Sequence, residues 1–209
     1  MLHLSKGNKK LVSTSDCRFI IWSIVPIITC PFATELCKHF CYANSSWKQY
    51  PNVRNAWSEN LAESKSKYFA NNMICELEKM LSLPSYKSAK RIVIRIHESG
   101  DFYSQDYADK WLEIARHFEG SKKVHFMAYT KSVSYFENRA IPKNLTVRFS
   151  LWSDTKPSEY AKAKAMGLPV YTAVESFTNE PKKERCECVD CGHCRKCWSA
   201  IEMLKCEIH

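Results

Sequence analysis

Strand-like and helix-like segments alternate along most of this 209-residue chain. Stretches rich in β-branched and aromatic residues occur at positions 18–29, 91–98, 124–130, 145–152 and 169–176. Apolar residues recur at helical spacing over positions 53–83, 104–118 and 157–166, and more briefly near 133–139. Strands that alternate with helices at spacings of roughly 25 to 30 residues form parallel sheets, so the pattern predicts an α/β fold. An open sheet and a partial barrel both satisfy the pattern, and we favour a partial (βα) barrel of parallel strands.

The composition excludes several classes of protein. No apolar run reaches the roughly 18 residues that a membrane-spanning helix needs. The polar N-terminal segment, residues 1–10, is unlike a secretory signal peptide. The cysteine count of eleven is odd, which does not suit a fully paired disulfide scaffold. We therefore expect a cytoplasmic protein with no membrane partner, whose cysteines bind metal.

One group of cysteines follows the first predicted strand, at Cys30, Cys37 and Cys41. Three soft thiolates on one loop suit an iron–sulfur cluster better than a closed zinc site, which needs a fourth ligand. In a [4Fe–4S] cluster held by three cysteines, the fourth iron is either open or bound by a ligand from elsewhere in the chain. His39 is an alternative ligand, and three buried thiols without metal are the structural alternative. Charged neighbours speak against burial, so the spacing predicts a cluster site.

A denser group lies near the end of the chain, at Cys186, Cys188, Cys191, Cys194 and Cys197. Short gaps let one loop wrap several thiolates around a single centre, and the run resembles ferredoxin-type loops. Zinc is the second choice, because structural zinc sites usually use two separated CxxC pairs. Disulfides, His193 as a ligand, and donation of Cys186 or Cys188 to the first cluster all stay open. We predict a cysteine-rich metal module over residues 181–209, packed on a barrel domain over residues 1–180, with one or two [4Fe–4S] clusters in total.

Polar side chains follow four of the predicted strands at the point where each strand ends. Parallel βα folds form ligand sites at the carboxyl ends of their strands, so these residues would share one rim. The candidates for catalysis are His97, Glu98, Asp101 and Lys131. The candidates for cofactor binding are Ser99, Gly100, Thr130, Ser153 and Glu175. The alternative explanation is that every strand must leave a sheet through a polar loop.

The cysteine loop resembles that of the radical S-adenosylmethionine (SAM) enzymes, in which three loop cysteines follow the first strand of a partial (βα)6 barrel. The usual spacing in those enzymes is Cys-x3-Cys-x2-Cys, whereas this chain has Cys-x6-Cys-x3-Cys followed by Tyr42-Ala43. The resemblance implies a [4Fe–4S] cluster whose open iron binds S-adenosylmethionine. It also implies that the loop after the second recognisable strand, residues 97–101, contacts that cofactor.

Several motifs in the same order are similar to a family of phage proteins known as gene product 88. They are Cys30-Pro31, Cys41-Tyr42-Ala43, Ser99-Gly100-Asp101-Phe102, Ala128-Tyr129-Thr130-Lys131-Ser132 and Cys197-Trp198. The resemblance implies a viral or prophage origin, a location in the host cytoplasm, and metal binding. It implies no particular reaction.

The formal net charge is +9, from 31 Lys and Arg residues against 22 Asp and Glu residues. Such an excess can bind nucleic-acid phosphate, but the solvated faces of a basic protein explain it more simply because no nucleic-acid-binding motif appears. We therefore predict an iron–sulfur protein with radical or redox chemistry, acting on a small molecule or a host protein. The rival is a metal-stapled protein, with zinc or a cluster, that binds nucleic acid or a host protein without turnover.

Overall fold

The computed structural model describes residues 1–176, 178, 180–186, 191–198 and 202–207, and its central feature is one parallel β-sheet. Six strands follow each other in the order of the sequence: β1 (Cys17–Trp22), β2 (Arg91–Ile96), β3 (Val124–Thr130), β4 (Leu145–Leu151), β5 (Val170–Val174) and β6 (Met203–Glu207). Each strand pairs in parallel with the next. Because neighbouring strands twist in a constant sense, the sheet curls into a half-barrel. The prediction of an α/β fold with a partial barrel of parallel strands is confirmed.

Helices connect the strands, and those from α3 to α7 pack residues against the outer face of the sheet. They are α1 (Glu35–His39), α2 (Tyr42–Gln49), α3 (Pro51–Ser64), α4 (Phe69–Ser82), α5 (Pro84–Lys87), α6 (Gln105–His117), α7 (Pro157–Ala165) and α8 (Cys191–Cys194). Short 3₁₀ turns lie at Val133–Phe136, Lys182–Glu184 and Lys196–Trp198. None of the helices in the described residues combines the length and the apolar character that crossing a bilayer would need.

The strands are buried on both faces of the sheet. On the outer face, Ile94 belongs to a large core that includes Trp111 of α6. On the inner face, Val93 belongs to a smaller core together with Leu11 and Cys197, which come from the two ends of the chain. Burial on both sides explains why the strands are almost continuously apolar. The inner face is therefore covered by the chain termini.

The first strand is shorter than the sequence predicts. It ends at Trp22 rather than at residue 29, because Pro26 has no backbone N–H to donate and Ile27 has a φ of +66°. The Ile24 N–H instead donates a hydrogen bond to the Ser99 carbonyl at 3.1 Å. The chain therefore leaves the sheet early and lies across the carboxyl end of β2.

The single helix predicted over residues 53–83 is two helices. Between α3 and α4 the chain makes a tight turn, in which the Ser66 N–H donates to the Glu63 carbonyl at 3.0 Å. After this turn Phe69, Met73 and Leu77 of α4 are fully buried. Apolar residues continue at helical spacing on both sides of the turn, which is why the sequence pattern does not reveal the break.

The sequence pattern does not predict β6, which lies within the proposed metal module. β6 pairs in parallel with β5, with Cys206 beside Ala173 and Leu204 beside Tyr171. Lys205 alternates with these buried residues and hides the strand from a hydropathy reading. The division into domains at residue 180 stays a prediction, and the sheet continues across that point.

Gly100 lies where the loop after β2 meets the loop after β1. Its φ is +86°, and a Cβ at this position would lie 2.7 Å from the Thr29 hydroxyl oxygen and would overlap the Ile24 side chain. We expect Gly100→Ala to lower the free energy of unfolding by about 2–3 kcal/mol, because left-handed backbone strain adds to overpacking. Urea denaturation measures this change. Gly120→Ala is the matched control with an expected loss below about 0.5 kcal/mol, because no atom lies within 4 Å of a Cβ there; equal losses would contradict the packing role.

Candidate functional site

The segment after β1 carries three cysteines to the carboxyl edge of the sheet. The Cys30 N–H donates to the Ile27 carbonyl at 3.0 Å. Cys37 lies in α1, and its N–H donates to the hydroxyl of the N-cap residue Thr34 at 3.2 Å. Cys41 is itself the N-cap residue of α2. Two short helices, which the sequence does not predict, therefore fix the backbone positions of these cysteines.

Lys131, which follows β3, is the cation of this site. Only 5% of its surface is exposed. Its ammonium donates to the carbonyl and hydroxyl oxygens of Ser150 at 3.1 and 2.9 Å, and it interacts electrostatically with Cys37. Burial lowers the pKa of Lys131, whereas Cys37, Asp101 and Cys30 raise it. The ammonium therefore joins the cysteine loop to the ends of β3 and β4.

Asp101 holds the backbone around Lys131 in place. Its carboxylate accepts hydrogen bonds from the Thr130 hydroxyl at 2.6 Å, from the Lys131 N–H at 2.9 Å and from the Phe102 N–H at 2.7 Å. Burial raises the pKa of Asp101, and these hydrogen bonds together with the charge of Lys131 oppose the rise. The fold thus brings together three of the site residues that the sequence predicts, Asp101, Thr130 and Lys131.

The cysteine thiols lie close to this charged pair. Burial, followed by the charge of Asp101, raises the pKa of Cys30 to about 12. Burial also raises the pKa of Cys37, and the charge of Lys131 opposes that rise. Cys37 interacts electrostatically with both Cys30 and Cys41, so the three side chains lie near one another. Metal centres bind thiolates, so loading this site would release protons.

Among the described residues, no three Cys, His, Asp or Glu side chains converge tightly enough to hold one metal ion. A mononuclear site requires such convergence, because all its ligands share a single centre. In a [4Fe–4S] cluster, by contrast, each thiolate binds a different iron, so the ligands lie farther apart. Three thiols beside a buried cation fit the donor chemistry of such a cluster.

The other two candidates for catalysis, His97 and Glu98, make their contacts elsewhere. The His97 Nε2 atom lies 2.9 Å from the hydroxyl of Tyr107, a fully buried residue of the outer core. The Glu98 carboxylate accepts a hydrogen bond from the Asn8 amide, and its carbonyl accepts the Tyr42 hydroxyl at 2.7 Å. These contacts link the loop after β2 to the core and to the N-terminal segment. The catalytic roles of both residues stay predictions.

The candidates for cofactor binding fall into two groups. Ser99 and Thr130 are buried and Gly100 is half-buried, and the Ser99 hydroxyl has no hydrogen-bond partner among the described residues. Ser153 and Glu175 are exposed, after β4 and β5 respectively. Gly100 packs against the chain's own loop, as its close approach to Ile24 and Thr29 shows. Their roles toward a cofactor stay predictions.

The end of β4 supplies contacts that sequence reasoning missed. The Asp154 carboxylate accepts the Leu36 N–H at 2.9 Å and so ties the first turn of α1 to this end of the sheet. The rings of Phe40 and Trp152 stack with centroids 6.3 Å apart, and the Lys131 ammonium lies 5.4 Å from the Trp152 ring. Trp152 ends the predicted strand over 145–152 and Asp154 follows two residues later, so both lie at a predicted strand end, but the sequence assigns neither of them a role.

The sequence model of the family described as gene product 88 matches residues 2–200. The chain belongs to the gene product 88 family. The gene 88 protein of Mycobacterium phage D29 is 27% identical over 165 residues, which cover 76% of this chain and 68% of the phage D29 protein. No solved structure matches the chain.

Membership of the gene product 88 family confirms the predicted resemblance to phage proteins. The description of the family and the name of the phage D29 relative mention no cofactor and no reaction. The [4Fe–4S] cluster and S-adenosylmethionine therefore stay predictions for this family member, and they are taken up below as proposals.

In this member of the gene product 88 family, the tail cysteines lie on the inner face of the half-barrel. Cys197 is 7% exposed and packs in the inner core, with Cys191 beside it. The Arg148 Nε donates to the Cys197 carbonyl at 2.7 Å, and its Nη2 donates to the Lys196 carbonyl at 3.0 Å. Burial raises the pKa of the Cys197 thiol, and the neighbouring Tyr129 opposes that rise. Cys188, also a predicted ligand, lies outside the described residues.

The remaining tail cysteines interact with one another. The hydrogen bond with Cys206, together with burial, raises the pKa of Cys186. Burial and the neighbouring Cys197 and Cys194 raise the pKa of Cys191 to about 11. None of the ten described cysteines lies in a disulfide bond. Cys206 is therefore a member of the tail group, although the sequence spacing does not predict it.

Arg95 of β2 connects the two cysteine groups. Its Nη2 donates to the Tyr42 hydroxyl at 3.3 Å, directly after Cys41. Its guanidinium carbon lies 5.5 Å from the centre of the Tyr129 ring, which contacts Cys197. The sequence analysis gives Arg95 no site role and includes Tyr129 only within a family motif at a strand end. The available signal is a charged or hydroxyl-bearing side chain at an inner-face position of an otherwise apolar strand.

Proposed function

We propose that this protein binds an iron–sulfur cluster through Cys30, Cys37 and Cys41 at the carboxyl edge of its half-barrel. The observation that carries the proposal is the convergence of the cysteine loop on the buried Lys131: Asp154 holds the first turn of α1, and the Lys131 ammonium lies 5.4 Å from the Trp152 ring that stacks on Phe40. A buried cation needs compensating negative charge, and a cluster with thiolate ligands supplies it. The three thiols lie on one loop, and the cation comes from a distant part of the sequence, after β3. The fold therefore brings the cation to the thiols.

The proposed cluster is of the [4Fe–4S] type, in which three protein thiolates leave one iron open. When bound, the cluster would supply electron transfer and a position at which a small molecule contacts iron. The resemblance of the loop to radical SAM enzymes makes S-adenosylmethionine that small molecule, and we include it as the finer part of the proposal. Radical or redox chemistry in the host cytoplasm is the reaction class that follows.

Residues of this chain would hold and tune the cluster. Lys131, anchored on Ser150, places a positive charge beside the thiolates. Such a charge favours the more negative, reduced state of a cluster and so raises its reduction potential. Asp101 fixes the backbone N–H of Lys131 and thereby the direction from which the ammonium approaches. The stacked rings of Phe40 and Trp152 lie beside the ammonium and would restrict water on that side.

The rival function, a metal-stapled protein that binds nucleic acid or a host protein without turnover, depends on free surface charge. Several surface cations are instead engaged with acidic side chains. The pairs include Lys90 with Asp16, Lys110 with Asp106, Arg139 with Asp109, and Lys162 with Glu159. Ion pairs of this kind reduce the positive potential available to phosphates. For this reason we favour the cluster at the carboxyl edge as the functional centre.

Replacement of Cys37 tests the cluster proposal. After anaerobic reconstitution, we expect Cys37→Ser to lose the iron and acid-labile sulfide held at the edge, about four of each per chain, because a serine oxygen is a poor substitute for a soft thiolate. Cys75→Ser is the matched control, since Cys75 lies exposed in α4. Iron and sulfide analysis provides the measurement, with circular dichroism to confirm folding. Equal iron in the two variants would contradict the proposal.

Cleavage of S-adenosylmethionine tests the finer part of the proposal separately. With dithionite as reductant, we expect the cluster-loaded protein to cleave S-adenosylmethionine and the Cys37→Ser variant to leave it intact. If the loaded protein keeps its cluster but does not cleave S-adenosylmethionine, the cluster proposal would stand and the proposal of radical chemistry would be contradicted.

A further inference from the structure

A second cysteine cluster lies on the inner face of the half-barrel, away from the proposed site at the carboxyl edge. We propose that it is a tetrathiolate site for Zn²⁺ in which Cys206 joins Cys186, Cys191 and Cys197. Such a site would staple β6 and the tail segments before it to each other. It does not depend on the proposed cluster, because it uses a different set of cysteines.

The backbone places Cys186 and Cys206 side by side. Arg185 and Lys205 form a parallel β-bridge, and the Cys186 N–H donates to the Lys205 carbonyl at 2.7 Å. The next residues in each segment are the two cysteines, so they occupy neighbouring positions on adjacent extended segments. The two side chains also interact, because Cys206 raises the pKa of Cys186. This pair provides two of the four ligands.

Cys191 and Cys197 come to the same place by independent contacts. The Cys191 N–H donates to the Lys10 carbonyl at 3.1 Å, which ties α8 to the N-terminal segment. Cys197 packs in the inner core, and Arg148 holds its carbonyl. Both cysteines interact electrostatically with Cys186. Cys197 and Cys191 therefore share the inner core with Leu204 of β6, which lies two residues before Cys206.

The adjacent backbone positions of Cys186 and Cys206 favour a single zinc ion over a cluster. Paired extended segments lie about 4.8 Å apart, so two neighbouring thiols can reach the sulfur–sulfur edge of roughly 3.8 Å that Zn–S bonds of about 2.3 Å give in a tetrahedral site. Ligands of an iron–sulfur cluster bind different irons and do not touch. Because no three described thiols yet converge on one point, zinc binding requires side-chain rotation of Cys191 and Cys197.

The charge of the surroundings matches a tetrathiolate centre. Four thiolates and Zn²⁺ carry a net charge of −2. Arg148 is 1% exposed and lies against Cys197, and Arg95 and Lys10 interact electrostatically with Cys191. Buried positive charge beside the thiols would offset the charge of the centre and stabilise its ionised ligands.

Metal titration tests the site in a variant with Ser at Cys30, Cys37 and Cys41, so that failure here is distinct from failure of the proposed cluster. In the chelator-treated protein, we expect one Co²⁺ per chain with the absorption of tetrahedral thiolate ligation, displaced by Zn²⁺. We expect Cys206→Ser in this background to weaken Zn²⁺ binding at least about tenfold and Cys75→Ser to leave it unchanged. Unchanged affinity in Cys206→Ser, or uptake of iron and sulfide in place of zinc, would overturn the proposal.

Thiol protection tests the site in the unaltered chain and does not depend on the folding of a variant. With Zn²⁺ bound, we expect iodoacetamide to modify Cys206 at least about tenfold more slowly than in the metal-free protein, while modification of the exposed Cys75 keeps its rate. Peptide mass spectrometry reports both positions. Equal rates for Cys206 with and without Zn²⁺ would refute Cys206 as a ligand.

Discussion

Arg148→Met is expected to release the cysteine tail from the inner face and to lower the free energy of unfolding by about 3–5 kcal/mol. Arg148 is 1% exposed, and its guanidinium donates to the Cys197 carbonyl at 2.7 Å and to the Lys196 carbonyl at 3.0 Å. Methionine fills a similar volume but donates no hydrogen bond. Two charge-assisted hydrogen bonds, worth roughly 1.5–3 kcal/mol each, are therefore lost together. Chemical denaturation measures the total.

Arg139→Met is the matched control for this substitution. Arg139 forms an exposed ion pair with Asp109 at 3.0 Å, and such pairs contribute less than about 1 kcal/mol. Hydrogen exchange should also show that residues 191–198 open more readily in Arg148→Met than in the control. A loss of stability no greater than that of Arg139→Met would contradict the anchoring role of Arg148.

The second large effect is expected on acidification, through His97. His97 is 3% exposed. The Trp22 Nε1–H donates to the Tyr107 hydroxyl oxygen at 2.8 Å, and the Tyr107 hydroxyl in turn lies 2.9 Å from His97 Nε2. The His97 Nδ1 atom has no hydrogen-bond partner among the described residues, so a doubly protonated ring would bury an unpaired N–H and the neutral form is favoured. Burial, with a further contribution from the charge of Arg95, lowers the pKa of His97 to about 3.

The sign of the resulting pH dependence follows from proton linkage. Below pH 6.5 the unfolded chain protonates this histidine, whereas the folded protein resists protonation down to about pH 3. Stability is therefore fully present above the unfolded pKa and is lost as the pH falls through this window. We expect His97 to account for a loss of about 2 kcal/mol between pH 7 and pH 5, and of about 4 kcal/mol by pH 3.5.

Comparison with His97→Asn isolates this contribution from that of the carboxylates. Asparagine accepts the left-handed backbone of position 97, where φ is +65°, and carries no titrating group. Urea denaturation at several pH values should show the wild-type protein losing about 2 kcal/mol more than the variant between pH 7 and pH 5. Parallel pH curves for the two proteins would show that His97 is not the titrating group.

The half-barrel could be predicted from the sequence because its strands are apolar on both faces and alternate with helices. Val93 and Ile94 illustrate the pattern, since one faces the inner core and the other the outer core. β6 could not be predicted in this way. Lys205 interrupts its short apolar run, and its hydrogen bonds come from pairing with β5, a long-range contact that no local pattern encodes.

The sequence predicts the candidate-site residues that directly follow a strand. It does not predict the contacts of residues on the inner face of the sheet. Asp101, Thr130 and Lys131 follow neighbouring parallel strands, so topology alone brings them together. His97 holds the same kind of position, yet its ring contacts the outer core through Tyr107. Arg148 lies on an inner face that the chain termini cover, and the sequence does not show which face of a doubly buried strand they will cover.

The most direct measurement of the central claim is the metal content of a Cys191→Ser/Cys197→Ser variant purified without oxygen. These substitutions disable the tail, so any cluster that remains must be held at the carboxyl edge by Cys30, Cys37 and Cys41. We expect iron and acid-labile sulfide in equal amounts, about four of each per chain, together with the brown colour of a cluster. A folded, colourless protein that takes up neither iron nor sulfide on anaerobic reconstitution would contradict the claim.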